Sequence, residues 1–165
     1  MSIVLVRIDD RLIHGQVIEG WARALRIEHI VVASDWIAGD PFQRKLLELA
    51  VPGYIRITIS TIANTRAMIL KKEFEKERTM LLLSSPAEAL DLVRNGVNLP
   101  SINIGGLHYR PGKKQVLRAI SLDERDIESL KLLDHLGVEL EARILPSDER
   151  LDLIRLLNKL EKQNG

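Results

Sequence analysis

The 165 residues carry 24 Lys and Arg against 23 Asp and Glu, a formal net charge of +1, so the basic excess of a nucleic-acid binder is absent. There is no cysteine, which excludes a disulfide framework and a thiolate metal site, while 45% apolar and 28% charged residues exclude a disordered chain. No basic stretch leads into an apolar leader and no apolar run nears the ~20 residues that span a bilayer, so the expectation is one soluble, intracellular domain over residues 1–165.

Ile3-Val4-Leu5-Val6 reads as a first strand, and Val17 to Leu25 as an amphipathic first helix. Between them Arg7-Ile8-Asp9-Asp10-Arg11-Leu12-Ile13-His14-Gly15-Gln16 forms a strand-to-helix corner. Such corners lie at the carboxyl ends of strands, where open α/β sheets bind ligands. His29 to Ala33 is strand two, apolar enough to be covered on both faces. Asp40-Pro41, with Gln43 three residues after the cap, opens a helix whose buried side is predicted to be Leu46, Leu47, Leu49 and Ala50. Pro52-Gly53 stops it. Ile55 to Ile59 alternates apolar with polar, as an edge strand does.

The next helix is predicted from Thr61 through Met68 and Leu70 to Phe74, with the mixed charges of Lys71 to Arg78 as its solvated end. Thr79 to Leu83 is a strand, and Ser85-Pro86-Ala87-Glu88 is a capping box for a helix ending near Asn95-Gly96. Ile102-Asn103-Ile104 is a strand closed by Gly105-Gly106, and Leu107 to Lys114 is a loop turning at Pro111-Gly112. Val116 to Leu122 is predicted as strand six, and Ser121 to Glu124 as a second capping box. The helix it opens turns Ile127, Leu130, Leu133 and Leu136 inward and ends at Gly137. Val138 to Leu145 reads as an edge strand, and Pro146-Ser147-Asp148 as the start of the last helix, with Leu151, Ile154, Leu157 and Leu160 on one face. Strands and helices alternate almost throughout. That is the signature of a single α/β domain, a mainly parallel sheet with helices on both faces.

The usual nucleotide loops, G-x-G-x-x-G and G-x-x-x-x-G-K-[ST], are absent, and so are a metal-binding H-E-x-x-H and a serine nucleophile elbow. The reactive group at the corner is His14. It precedes a helix, where free N–H groups and the positive dipole end attract phosphate. Gly15 takes away a side chain that would crowd an anion. Arg11 offers a fork of donors. A neutral imidazole nitrogen is a nucleophile able to carry phosphate, with Arg11 and the helix end stabilising the charge. Asp9 or Asp10 would hold the other ring nitrogen. The residues alone leave a second reading open: His14 as a polar loop residue, Asp9 or Asp10 as turn formers, and Arg7 and Arg11 as ion-pair partners.

The run from Arg7 to Val17 resembles the active-site loop of the IIB component of the mannose/fructose/sorbose family of the phosphoenolpyruvate-dependent sugar phosphotransferase system. Ile102-Asn103-Ile104-Gly105-Gly106 with Gly112-Lys113, and Ile120-Ser121-Leu122-Asp123 through Asp126 to Gly137-Val138-Glu139-Leu140, are similar to later family segments. The resemblance implies a seven-strand sheet. It implies His14 as a pros-phosphohistidine, phosphorylated on Nδ1 by a phospho-IIA protein or domain and donating to a sugar brought by membrane IIC and IID components. It makes Arg11 the arginine beside the phosphate, with Ile13, Gly15 and Gln16 in the phosphate loop, and it calls for no cofactor and no metal. A cytoplasmic protein at the periphery of a membrane permease is expected.

Ser34-Asp35-Trp36 departs from the family, which has an acidic or amide pair followed by a small or acidic residue there. Trp36 reads as a cover for the following helix, or else as part of a partner-docking surface. His108, with Gly105 and Gly106, is a peripheral candidate. His29 and His135 read as structural or exposed. The Ile55–Ile59 and Val138–Leu145 edges are candidates for homo-oligomer contacts. Three alternatives stand beside the transport reading: a regulatory phosphocarrier without a sugar, a binding module never phosphorylated, and an unrelated enzyme with His14 as general base.

Overall fold

In the computed structural model, which describes residues 2–164, the strands are β1 (Ile3–Asp9), β2 (His29–Ala33), β3 (Arg56–Ser60), β4 (Thr79–Leu83), β5 (Ser101–Gly106), β6 (Lys114–Leu117), β7 (Ile120–Leu122), β8 (Glu139–Ala142) and β9 (Leu151–Asp152). A π-helix spans Gln16–Ala22, and the α-helices are α1 (Asp35–Ala38), α2 (Pro41–Ala50), α3 (Ile62–Leu70), α4 (Pro86–Arg94), α5 (Glu124–His135) and α6 (Leu153–Asn164). Seven strands form one sheet in the order β3-β2-β4-β1-β5-β8-β9. All neighbours in it are parallel except β8 and β9.

The pleat assigns the core. Val31 and Ala33 of β2, Leu81 and Leu83 of β4, and Val6 and Ile8 of β1 face one layer, packed against α3, α4, α5 and α6. Ile30, Val32, Met80 and Leu82 face the other, packed against the π-helix through Val17, Ile18 and Trp21. On that second side β1 contributes Leu5 and then two charged residues, Arg7 and Asp9, both fully buried. The middle of the sheet thus carries a polar seam under the π-helix.

Several sequence expectations hold. Asp40 caps α2, Ser85 caps α4 through Glu88 N–H, and Gly137 follows α5 at φ 89°. β3 is an outer strand of the sheet. Others are corrected. The sheet has seven strands, but not the seven counted from the sequence. Val116–Leu122 is no single strand: the chain reverses between Leu117 and Ile120, where Gln115 Nε2 donates to the Arg118 carbonyl at 3.2 Å, and β6 and β7 form a separate antiparallel hairpin. The seventh strand is β9, which lies inside the span assigned to the last helix. That helix begins at Leu153, with the Asp152 carboxylate accepting from Arg155 N–H at 3.1 Å; Pro146–Asp148 is a turn closed by Leu145 N–H on Asp148 at 2.9 Å.

The predicted edge strand Val138–Leu145 shrinks to β8, which sits inside the sheet between β5 and β9. Its alternation did not mark one solvent face: Glu139 is exposed, but Glu141 is buried and paired with Arg143 at 2.8 Å. The capping box of α5 lies at Asp123 and Asp126 rather than at Ser121 and Glu124. α3 stops at Leu70; Lys72 takes a left-handed φ of 61°, and Phe74 folds back into the core. Leu46, Leu49 and Ala50 of α2 are exposed, and only Leu47 of the predicted buried side packs against the core.

Candidate active site

The site begins beneath the corner, with Arg7. Its guanidinium donates to Asn103 Oδ1 at 2.6 Å, to the Arg143 carbonyl at 3.1 Å and to Asp9 Oδ2 at 3.1 Å. It lies over the Trp21 ring, 5.3 Å from the centroid, and Arg143 lies 5.0 Å from the same ring. Trp21 is fixed by its own Nε1–H, which donates to the Ile144 carbonyl at 2.8 Å. Burial lowers the Arg7 pKa against the opposing pull of Asp9, yet an arginine starts so high that it stays charged. A buried cation of this kind is tolerable only with its partners in place.

Asp9, the last residue of β1, divides its two oxygens. Oδ2 faces Arg7 and His14 Nε2, the latter at 2.7 Å. Oδ1 accepts the Arg11 backbone N–H at 3.1 Å, with Arg11 Nε at 3.5 Å. Burial alone pushes the Asp9 carboxyl up. The hydrogen bond and charge of His14, the Arg7 charge and the Arg11 N–H outweigh burial and hold it below the usual carboxylate range. An ionised carboxylate only accepts, so the proton of a neutral His14 sits on Nε2 and the lone pair on Nδ1.

After Asp9 the chain turns tightly. Leu12 N–H donates to the Asp9 carbonyl at 2.9 Å, and Leu12 has φ 59°, a left-handed conformation that costs a leucine about 1–3 kcal/mol. Burial of Leu12 and Ile13 in the second core holds the turn. The His14 carbonyl then accepts from Val17 and Ile18, starting the π-helix. Among the described residues, no protein acceptor meets the N–H groups of Ile13, His14, Gly15 or Gln16. A side chain at Gly15 would meet only open space. Half-exposed Arg11 donates to Gln16 Oε1 at 2.9 Å, tying the loop to the first turn. The loop therefore gathers a nucleophilic nitrogen, a guanidinium and unpaired N–H groups at one helix start, the arrangement that binds and transfers phosphate.

Asp10 points elsewhere. Its Oδ2 receives the ring Nδ1 of His108 at 2.6 Å and the His108 backbone N–H at 3.0 Å. The sequence left Asp9 and Asp10 as equal candidates for holding His14; the geometry brings only Asp9 to the ring. His108 and Asp10 instead pin the loop after β5, with Arg110 Nε donating to His108 Nε2 at 3.3 Å. Asp10, Arg11, Gln16, His108, Gln115 and Arg118 line a cleft of about 630 Å³ beside the phosphate loop. Gly106 lines it too, and the end of β5 leaves room for the cluster below: a side chain at Gly105 would collide with Arg7, and one at Gly106 would press on Asp9.

The sequence offered Arg7 as an ion-pair partner, and it pairs with Asp9 at 3.1 Å; sequence reasoning missed that Asn103 and Trp21 hold Arg7 in that place. The signal was present in part, since Arg7 falls in step with Ile3 and Leu5 at the period of two, but nothing local shows that its partner is Asn103 on β5. His29 is buried at the opposite end of the sheet, between Thr58 and Glu77, and His135 is exposed. Trp36 is 68% exposed and does not cover α2. Among the described residues no group of three or more His, Asp or Glu could hold a metal ion, and no helix is long and apolar enough to cross a membrane.

Residues 3–165 match the family model described as PTS system sorbose subfamily IIB component. The chain belongs to that family. A sorbose-specific EIIB component of Klebsiella pneumoniae is 36% identical over 159 residues, 96% of this chain and 97% of that one. A mannose-specific EIIAB component of Escherichia coli (strain K12) is 39% identical over 162 residues, 98% of this chain; the chain spans only 50% of that protein. The crystal structure of the IIBSor domain of the Klebsiella pneumoniae sorbose permease superposes with a TM-score of 0.90 at 36% identity, covering 96% of this chain and 98% of that one. As a IIB component of the sorbose/mannose type, the chain is a phosphotransferase of a sugar phosphotransferase system.

Proposed function

We propose that His14 accepts phosphate on Nδ1 from a phosphorylated IIA protein or domain and passes it to a sugar held by membrane IIC and IID components. The observation that carries this reading is the 2.7 Å contact between Asp9 and His14 Nε2, which leaves Nδ1 as the free nucleophile. In the first transfer the Nδ1 lone pair bonds phosphorus while the bond to the donor nitrogen breaks. The ring then gains positive character, and Asp9 balances it across Nε2. Arg11 and the N–H groups of Ile13 to Gln16 take the phosphoryl oxygens, and Gly15 leaves their approach open. Asp10 with His108 holds the wall of the loop, and Gly105 with Gly106 leaves room for the cluster beneath it.

Support for the partners comes from the relatives: one is named an EIIAB component, and another is a domain of a sorbose permease. The protein works at the cytoplasmic periphery of such a permease. Incubation with phosphoenolpyruvate and the upstream carriers, including the cognate IIA, is expected to give acid-labile, base-stable phosphate on nitrogen, and none on His14→Ala. Undiminished labelling of His14→Ala would overturn the assignment. Label on Nε2 rather than Nδ1 would overturn the role given to Asp9.

A further inference from the structure

The carboxylate of Asp9 is crowded with donors. Its Oδ2 takes both His14 Nε2 at 2.7 Å and Arg7 Nη2 at 3.1 Å. Its Oδ1 takes the Arg11 backbone N–H at 3.1 Å and lies 3.5 Å from Arg11 Nε. An arginine beside a carboxylate frequently lays two nitrogens on it, as a fork of parallel bonds. Arg7 does not. One arm reaches Asp9, and it lands on the oxygen that His14 uses. The other arm, Nη1, is turned to Asn103 Oδ1 at 2.6 Å and to the Arg143 carbonyl at 3.1 Å. How much of Asp9 is left for His14 therefore depends on what holds that second arm.

The sheet register puts Asn103 in place to hold it. Arg7 on β1, Asn103 on β5 and Glu141 on β8 stand side by side across three parallel strands. All three are buried, so the rung runs from a cation to an anion with an uncharged amide between them. Glu141 is taken by Arg143, which donates to its two oxygens at 2.8 and 2.9 Å. Asn103 is 1% exposed, and its Nδ2 donates to the Arg143 carbonyl at 3.4 Å, so its Oδ1 is aimed at Arg7. The guanidinium is further confined by the Trp21 ring, 5.3 Å from Cζ, and by Gly105, where a Cβ would fall 1.8 Å from the same atom. Without the Asn103 acceptor, one N–H of Nη1 is a buried donor short of a partner, which is disfavoured. The anion already in contact with Arg7 is Asp9. A second arm on Asp9 would complete the fork at the expense of His14.

We propose, resting on the reading of His14 as phosphocarrier, that Asn103 is a positioning residue for phosphate acceptance: by holding one arm of Arg7 it keeps Asp9 Oδ2 available to His14 Nε2, and so keeps the lone pair on Nδ1. Its hydrogen bonds go to Arg7 and to the Arg143 carbonyl, none to His14, so it acts through Arg7.

The test compares Asn103→Leu, which keeps the size and removes the acceptor, with Asn103→Asp, which keeps an acceptor oxygen whether or not its carboxyl is ionised. The first readout needs no phosphate. It is the rate at which the His14 Nε2–H proton exchanges with water, followed by NMR, with the ring signals assigned by their loss in His14→Ala. Exchange is expected to quicken about tenfold in Asn103→Leu, as one hydrogen bond weakens. The ring of His29, held by Thr58 at the far end of the sheet, should keep its rate. The second readout is transfer from phospho-IIA. Its rate at saturation should fall about tenfold in Asn103→Leu, with the half-saturating concentration unchanged, since Asn103 is buried beneath the loop. Asn103→Asp should recover most of both. Should Asn103→Leu not fold, Asn103→Ser, whose hydroxyl stops short of Arg7, takes its place and is read in the same way.

Unchanged exchange or unchanged transfer in the variant lacking the acceptor overturns the proposal, whatever its melting temperature. So does Asn103→Asp behaving like Asn103→Leu, or a loss confined to the half-saturating concentration, which would make Asn103 a docking residue. Undiminished labelling of His14→Ala would overturn the phosphocarrier reading while leaving the exchange result standing, so the two failures are told apart.

Discussion

A Cβ on Gly105 would lie 1.8 Å from Cζ of Arg7, so these two residues, 98 apart in the chain, exclude any side chain between them. Arg7 cannot give way, because Asn103, Asp9 and the Arg143 carbonyl hold its guanidinium. Gly105→Ala must displace a buried charge from its partners, a change of roughly 3–5 kcal/mol. At Gly106 the corresponding contact is milder, 3.1 Å to Asp9 Oδ1. Gly106→Ala is therefore expected to fold, losing about 1 kcal/mol, but to shift the carboxylate against His14 and slow phosphate acceptance. Urea unfolding of both variants checks the order; equal stability would remove the Arg7 cluster as the reason for Gly105.

The same pair shows where sequence reading stops. The corner at His14, the alternation of strands and helices and the caps of α2 and α4 were legible, because each depends on residues within a few positions. Gly105 read as the close of a strand and a peripheral site candidate, since its reason is a side chain on β1. Glu141 read as a solvent-facing residue, since a buried acid and an exposed one leave the same alternation. Leu46 and Leu49 read as core, since periodicity gives a helix two faces without saying which one the protein covers. β9 vanished into a helix because two residues are too few to show a period.

Asp9→Asn and Asp10→Asn separate the two acids that the sequence could not. Asp9→Asn removes the carboxylate paired with Arg7, leaving only the more distant Glu141 to oppose its charge, and replaces the His14 acceptor with a neutral amide. It should destabilise by about 3–5 kcal/mol and, measured well below its melting temperature, slow phosphate acceptance about 10- to 100-fold, the loss of one charge-assisted hydrogen bond. Asp10→Asn loosens only His108 and its loop, so its rate should stay within a few fold. Rapid-quench labelling by phospho-IIA decides it; equal losses would mean that Asp10 also serves the ring.

Acid should weaken the fold in two stages. His29 is buried against Phe74 and Thr58, near Glu77 and Arg56. Burial first, and Arg56 next, lower its pKa against the pull of Glu77. Below the ordinary imidazole value of about 6.5 the unfolded chain takes up a proton that the folded chain resists, so stability falls with pH by up to ~1.4 kcal/mol per unit. Asp9 is depressed in the fold, so its contribution is full above the ordinary carboxylate range and is lost as pH falls from about 4 towards the depressed value. His29→Gln should flatten the first stage and leave the second. Urea titrations between about pH 7.5 and 3 test this, and an unchanged slope near pH 6 would clear His29 of the first stage.

Arg11 offers the cleanest split between stability and chemistry. Its side chain is half-exposed, 3.5 Å from Asp9 and 2.9 Å from Gln16 Oε1. Exposed pairs are worth about 0.2–1 kcal/mol, so Arg11→Ala should barely move the melting temperature. If Arg11 grips the phosphoryl oxygens it supplies charge-assisted bonds worth about 1.5–3 kcal/mol, and its loss should slow transfer about 10- to 100-fold. Arg11→Lys keeps the charge without the planar fork and should recover only part of the rate. Gln16→Ala, which removes the partner that orients Arg11 but no charge, should fall between the unmodified protein and Arg11→Ala. Transfer from phospho-IIA at unchanged rate in Arg11→Ala would take Arg11 out of the mechanism and leave the N–H groups of Ile13 to Gln16 as the phosphate site.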